Sequence, residues 1–186
     1  MNEKIILASQ SPRRKQLLEM ANIDFEIIVE PTDEIINANL SVEEIAIEIA
    51  LQKADVISKK YSHRKILAAD TIVMIENEIL GKPTDETDAF NMLKKLSGKT
   101  HQVITGVAIL ENQKQILFAD TTEVTFNILT DEQIQYYIST YKPFDKAGSY
   151  AIQEYIGAIA INKINGCFYN VMGLPISKII PFFITK

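Results

Sequence analysis

Apolar residues along the chain fall into short blocks that alternate between a period near two and a period near 3.6. Residues 4–8, "KIILA", read as a strand. Residues 12–21 read as the helix behind it, with Ser11 suited to the N-cap and Pro12 to the first helical position. Residues 25–29 are strand-like. "SVEE" sets Ser41 as cap with Glu44 three residues on, a capping box opening a helix to about Lys59. Residues 66–69 and 71–75 read as strands interrupted by Asp70, and residues 78–80 pair back on the second. Thr84 opens a helix through about Leu96. "SGKTHQVITGVAIL" passes from a glycine turn into a strand, and residues 115–126 form its long partner. "TDEQ" at Thr130 is a second capping box, opening a helix to about Thr140. "AIAINKINGCFYNV" reads as two β-runs joined by Asn165-Gly166, a strong hairpin signal, and "LPISKIIPFF" as a short terminal helix. Helices and strands alternate early and hairpins come later, which predicts an α/β protein with a mixed sheet.

The composition fits that reading. The 186 residues are ordinary for one domain or two small lobes, and no repeat or linker marks a boundary, so residues 1–186 are treated as a single domain. A net charge of −5 excludes a general nucleic-acid or anionic-membrane surface, so any anion site must be local. Cys167 is the one cysteine and cannot form an intramolecular disulfide; its strand-like run makes it a small core residue. There is no signal-like or membrane-spanning run, and a cytoplasmic protein is expected.

Charges that oppose their local pattern mark candidate chemistry. Pro12, Arg13, Arg14 and Lys15 put cations at a helix end that is itself partly positive. With free backbone N–H groups, the Ser9 hydroxyl and the planar fork of Arg13, that end suits phosphate; the alternative is a solvated first turn with Arg14 or Lys15 facing water. Lys53 lies four residues from Ile49 and from Ile57, on the core-facing stripe of its helix, either snorkelling or meeting an anion. Asp70 sits between "ILAA" and "TIVMI", where an unpaired carboxylate is costly. "YKPFDKAGSYAIQ" carries Asp145, Lys146 and Gly148 in a polar turn leading to Gln153. "LGKP" lacks the rest of a P-loop, no dinucleotide fingerprint, zinc-spaced set or nucleophile elbow occurs, and His63 and His101 lack motif context. What remains is a set of phosphate-seeking cations (Arg13, Lys53, Lys82) and oxygen ligands (Asp33, Glu34, Asp70). Such hard carboxylates suit Mg²⁺ or Mn²⁺ and a polyphosphate substrate.

"LASQSPRRKQLL", "AADTIV", "LGKPTD", "LSGKTHQVITGVAI", "FDKAGSYAIQ" and "GLP" together resemble the Maf family of nucleoside triphosphate pyrophosphatases, in the family's order. The resemblance implies a metal-dependent enzyme that cleaves a nucleoside triphosphate to monophosphate and pyrophosphate. It further implies a homodimer and an elongated α/β fold of Maf/ITPase-like type, with a substrate cleft between two lobes. By motif, Ser9, Arg13 and Arg14 match the phosphate loop and Glu34 the acidic residue after the second strand. Lys53 and Lys82 match the family's lysines, and Asp70 its proton acceptor. Glu34 and Asp70 are the metal ligands so implied. Arg13, Thr71 and Gln153 match positions of the branch acting on dTTP and UTP. Three departures stand out: Ala68 stands before Ala69-Asp70 where the family usually has glycine, Glu154 follows Gln153 where glycine is often found, and the loop "EPTDE" that carries Glu34 lacks the serine common in the family. Two alternatives stay open, a house-cleaning pyrophosphatase for modified nucleotides and a nucleotide-binding regulator of septum formation that does not turn substrate over.

Overall fold

The computed structural model describes residues 4–33, 35, 37, 39–112 and 114–183. In chain order its elements are β1 (Ile5–Leu7), α1 (Pro12–Met20), β2 (Phe25–Ile27), α2 (Val42–Ser58), β3 (Ile66–Ile75), β4 (Glu78–Leu80), α3 (Glu86–Leu96), β5 (Thr100–Glu111), β6 (Lys114–Phe126), α4 (Asp131–Tyr141), α5 (Tyr155–Ala160), β7 (Ile161–Asn165), α6 (Phe168–Val171) and α7 (Ile176–Ile179). Hydrogen-bonded strands follow the order β2-β1-β3-β5-β6-β7, with β4 on β3. β1 runs parallel to β2 and β3, whereas β4 on β3 and β7 on β6 are antiparallel. The sheet is therefore mixed, as the alternation of elements predicts. Among the described residues no helix is long and apolar enough to cross a membrane.

By contacts the chain divides into two compact units. One gathers the chain up to Thr71, Thr105–Asp120 and the segment from Gly173 on; the other holds Ile72–Ile104 and Thr121–Met172. In the first, α2 buries Ile45, Ala46, Ile49, Ala50, Ala54 and Ile57. Its alanines bring the helix close to the sheet, where Ala50, Ala54 and Ile57 pack with Ile6, Ala8, Ile66, Ala68, Ala108 and Leu110. At Gly106 the approach is closest: a Cβ there would lie 2.1 Å from the Ala46 carbonyl carbon, so no side chain fits. The even-numbered residues of β3 thus face α2, and Asp70 follows Ile66 and Ala68 on that face by the strand's period of two.

In the second unit α3 packs against α4, and Tyr137 of α4 is fully buried. His101, Phe126 and Tyr150 form an edge-to-face trio with centroids 4.9–5.4 Å apart.

Both capping boxes form. The Ser41 hydroxyl accepts from the Glu44 N–H and the Thr130 hydroxyl from the Gln133 N–H, with each N3 side chain returning the bond. Other boundaries depart from the sequence reading. β3 runs through Asp70 without interruption, because a strand backbone tolerates a carboxylate whose charge is paired to one side. Asp85, not Thr84, caps α3; its carboxylate accepts the Asp88 N–H at 2.8 Å, and Asp88 in turn accepts the Thr84 N–H at 2.9 Å. The Asn165-Gly166 hairpin does not form. β7 pairs with β6, and the chain then turns into α6, because the Thr122 hydroxyl accepts the Cys167 N–H at 3.0 Å and the buried Asn170 amide donates to the Val103 carbonyl and to Thr122. Residues 158–160, read as strand, are the end of helix α5. Cys167 is accordingly a half-buried N-cap and not a strand core residue.

His101 is 1% exposed; its Nε2 lies 2.8 Å from the Tyr150 hydroxyl, and Nδ1 has no hydrogen-bond partner among the described residues. Burial lowers its pKa from 6.5 to about 4. The unfolded chain therefore binds the extra proton between those values, so this histidine's contribution to stability is complete above pH 6.5 and is lost as pH falls towards 4. Urea unfolding of wild type and His101→Leu across this range should show the wild type losing stability more steeply, by up to about 1.4 kcal/mol per pH unit. Parallel curves would contradict the assignment.

Candidate active site

The phosphate-seeking loop is built around a buried cation. Arg14, Leu17 and Leu18 are the buried residues of α1, at helical spacing, so Arg14 occupies the first position of the core-facing stripe. Its Nε donates to the Gly173 carbonyl at 2.8 Å, Nη1 to the Ser9 hydroxyl at 3.0 Å and Nη2 to the Thr71 hydroxyl at 3.1 Å. Burial pulls the guanidinium below its ordinary pKa; the Asp70 charge opposes this and the Arg13 charge adds to it. The solvated reading of Arg14 is thereby corrected: the residue lies on the inward stripe and is 9% exposed. Lys15 is exposed and pairs with Glu19 at 3.7 Å.

Ser11 holds the extended N-cap conformation but makes no side-chain cap bond; the Ser9 hydroxyl instead accepts the Ser11 N–H at 3.2 Å. Ser9 thus receives a backbone donor and the Arg14 fork together. Arg13 is half-buried on the neighbouring face of the same helix. At Gly173, φ is +110°, and a Cβ there would stand 3.4 Å from the Thr71 hydroxyl. That contact is an ordinary one, and it is the positive φ that favours glycine there.

On the α2 side of β3, the Lys53 ammonium meets the Asp70 Oδ1 at 2.6 Å, with side chains 24% and 20% exposed. The anion that Lys53 reaches in this structure is Asp70. Thr71 points the other way, towards Arg14, and its hydroxyl lies 3.0 Å from that of the fully buried Thr105. One dipeptide in one strand therefore connects the two basic side chains, one on each face.

Ser9, Arg13, Arg14, Lys53, Asp70 and Thr71 all belong to the first unit. Lys82 and Gln153 belong to the second, where both are exposed. The loop of Lys82 is tied to the polar turn near Gln153 by the Gly148 N–H, which donates to the Gly81 carbonyl at 3.0 Å. Gly148 has φ of +66° and a Cβ would press on Val73 at 2.9 Å, so glycine is required there. Glu34 lies outside the described residues. Sequence reasoning passed over Thr105 and the Gly173 carbonyl. A threonine inside "VITGV" offered the same kind of signal as Asp70, whereas no side-chain pattern marks a carbonyl acceptor.

With Lys53 on one oxygen, Asp70 still presents a hard carboxylate edge at a half-buried position, which suits a divalent cation that takes one or two carboxylates and completes its shell with phosphate and water. Among the described residues no group of three His, Cys, Asp or Glu side chains comes together.

The family model described as Maf-like protein matches residues 4–184. The chain is 50% identical over 177 residues to the dTTP/UTP pyrophosphatase of Bacillus mycoides (strain KBAB4), covering 95% of this chain and 92% of that one. It is 52% identical over 177 residues to the dTTP/UTP pyrophosphatase of Bacillus cereus (strain AH187), covering 95% of this chain and 92% of that one. Among solved structures, the Staphylococcus aureus Ham1 protein aligns with a TM-score of 0.48 at 16% identity, over 67% of this chain and 72% of its own, a likeness too slight to bear on function. The match along nearly the whole sequence, at half of its positions identical, establishes that this chain belongs to the family of Maf-like proteins.

Proposed function

We propose that the chain hydrolyses nucleoside triphosphates, dTTP and UTP first among them, at the α–β phosphoanhydride bond, releasing the monophosphate and pyrophosphate. The observation that carries this reading is the Lys53–Asp70 pair at 2.6 Å, one residue along β3 from the Thr71–Arg14–Ser9 set. A carboxylate with one oxygen tied to a lysine, adjacent in sequence to a threonine that accepts from a buried guanidinium, supports the reading. Relatives 50–52% identical that carry the name dTTP/UTP pyrophosphatase support the same reading.

Lys53 holds Oδ1 of Asp70, and Oδ2 takes the proton of the attacking water. The water oxygen bonds to the α-phosphorus as the bond to the bridging oxygen breaks, and pyrophosphate leaves. Ser9 and Arg13 contact phosphate oxygens and stabilise the charge that builds up on them. Arg14 has five N–H donors and commits three of its nitrogens to Ser9, Thr71 and Gly173, so it acts chiefly by holding these partners in place. Asp70, with Glu34, would hold a divalent Mg²⁺ or Mn²⁺. Such an ion, when bound, supplies charge neutralisation and orients the phosphates.

Gln153 is proposed to read the base. Its carboxamide offers a donor and an acceptor, complementary to the N3–H and O4 edge of uracil and thymine, whereas an ionised glutamate only accepts.

The reaction is tested by identifying products from dTTP and UTP with purified protein. Wild type with Mg²⁺ or Mn²⁺ should give monophosphate and pyrophosphate; chelation should abolish turnover, and Asp70→Asn, still folded, should lose at least about 10²-fold, the low end for a positioned base. Release of orthophosphate, or near-normal Asp70→Asn activity, would contradict it. For the base, Gln153→Glu should lower UTP turnover relative to GTP by about tenfold, the scale of one lost edge contact. An unchanged ranking would remove Gln153 from this role.

A further inference from the structure

Gln153 sits in a turn that is fixed from several directions. Ala151 and Ile152 before it are 3% and 4% exposed, while Gln153 itself is exposed. The Glu154 N–H closes the turn on the Ala151 carbonyl at 3.1 Å. The Ala151 N–H donates to the Tyr137 hydroxyl oxygen at 3.2 Å, and that hydroxyl donates to the Glu154 Oε2 at 2.5 Å. The other Glu154 oxygen lies 3.5 Å from the ammonium of Lys146, which also pairs with Asp145 at 2.8 Å. The Lys146 side chain is only 7% exposed, so its charge must be met by these carboxylates. From the far side, the first turn of α5 presses on the same segment: a Cβ on Gly157 would stand 1.7 Å from the Ile152 carbonyl oxygen. A buried cation, a buried phenol and a glycine with no room for a side chain thus hold a turn from which a single polar side chain projects.

Donor and acceptor chemistry alone leaves the choice of base incomplete. Hypoxanthine presents N1–H and O6 in the same pattern as the N3–H and O4 of uracil, but farther from the sugar by the width of the second ring. A carboxamide on a mobile turn would serve both. One held at a set depth serves only one.

We propose that Glu154, Lys146 and Tyr137 are positioning residues that fix the depth of the Gln153 turn and thereby exclude fused-ring bases bearing the uracil edge pattern. This deepens, and rests on, the reading of Gln153 as the base-reading residue.

The test compares kcat and KM for UTP and ITP in wild type, Glu154→Gln, Tyr137→Phe and Gln153→Ala, with folding checked by thermal melting. Tyr137→Phe keeps the ring packing and loses only the hydroxyl, so it remains informative where Glu154→Gln fails to fold. Wild type should prefer UTP, and the brace variants should lower the UTP/ITP ratio of kcat/KM by about tenfold, chiefly through KM, a discrimination of the size that pocket fit supplies. A purely structural role would lower both substrates together and leave the ratio within about twofold of wild type, overturning the proposal. So would a wild type that takes ITP as well as UTP. If Gln153→Ala leaves UTP hydrolysis unchanged, the base-reading assignment itself falls and the brace with it; if Gln153→Ala is impaired while the brace variants keep the wild-type ratio, only the brace falls.

Discussion

A guanidinium cannot be buried without acceptors, and the need to satisfy Arg14 organises the first unit. Its partners come from three distant places in the chain: the β1–α1 loop at Ser9, strand β3 at Thr71 and the loop at Gly173, 159 residues from Arg14 in sequence. Each partner is also fixed by something else. Ser9 holds the Ser11 N–H, Thr71 meets Thr105, and Gly173 has the positive φ that opens its carbonyl. Three separate sequence motifs are therefore one physical assembly, closed by one side chain. The cationic start of α1 follows from the same logic: its second arginine is buried among hydrogen-bond acceptors and is structural.

The second constraint is that a carboxylate must cross an apolar strand. β3 carries Asp70 at the end of the face that packs on α2, and α2 supplies Lys53 from the margin of its alanine stripe. The close approach that Ala46 and Gly106 permit brings the helix within reach of Asp70. A pair of this kind contributes little net stability when both partners are present and costs much more when one is removed. It specifies geometry: one oxygen is tied and the direction of the other is set.

Much of this was legible in the sequence. Both capping boxes, the alternation of elements and the anomalous charges at Arg13–Arg14, Lys53 and Asp70 follow from spacing and from the cost of burying charge. The burial of Arg14 also follows from spacing, three and four residues before Leu17 and Leu18 on the inward stripe. Elsewhere tertiary contacts overrode local signals. Asn165-Gly166 is a good hairpin dipeptide, yet the hydroxyl of Thr122 and the buried amide of Asn170 favour a helical turn after it. The strand through Asp70 is unbroken because its partner lies 17 residues away in sequence, beyond any local window. Carbonyl acceptors such as Gly173 leave no side-chain trace at all.

In the proposed reaction the carboxylate of Asp70 directs water to the α-phosphorus. Hydrolysis of UTP in ¹⁸O-labelled water, with mass analysis of both products, tests it most directly. A single labelled oxygen should appear in the monophosphate and none in pyrophosphate. Label in pyrophosphate would mean attack at the β-phosphorus, and would rule that step out.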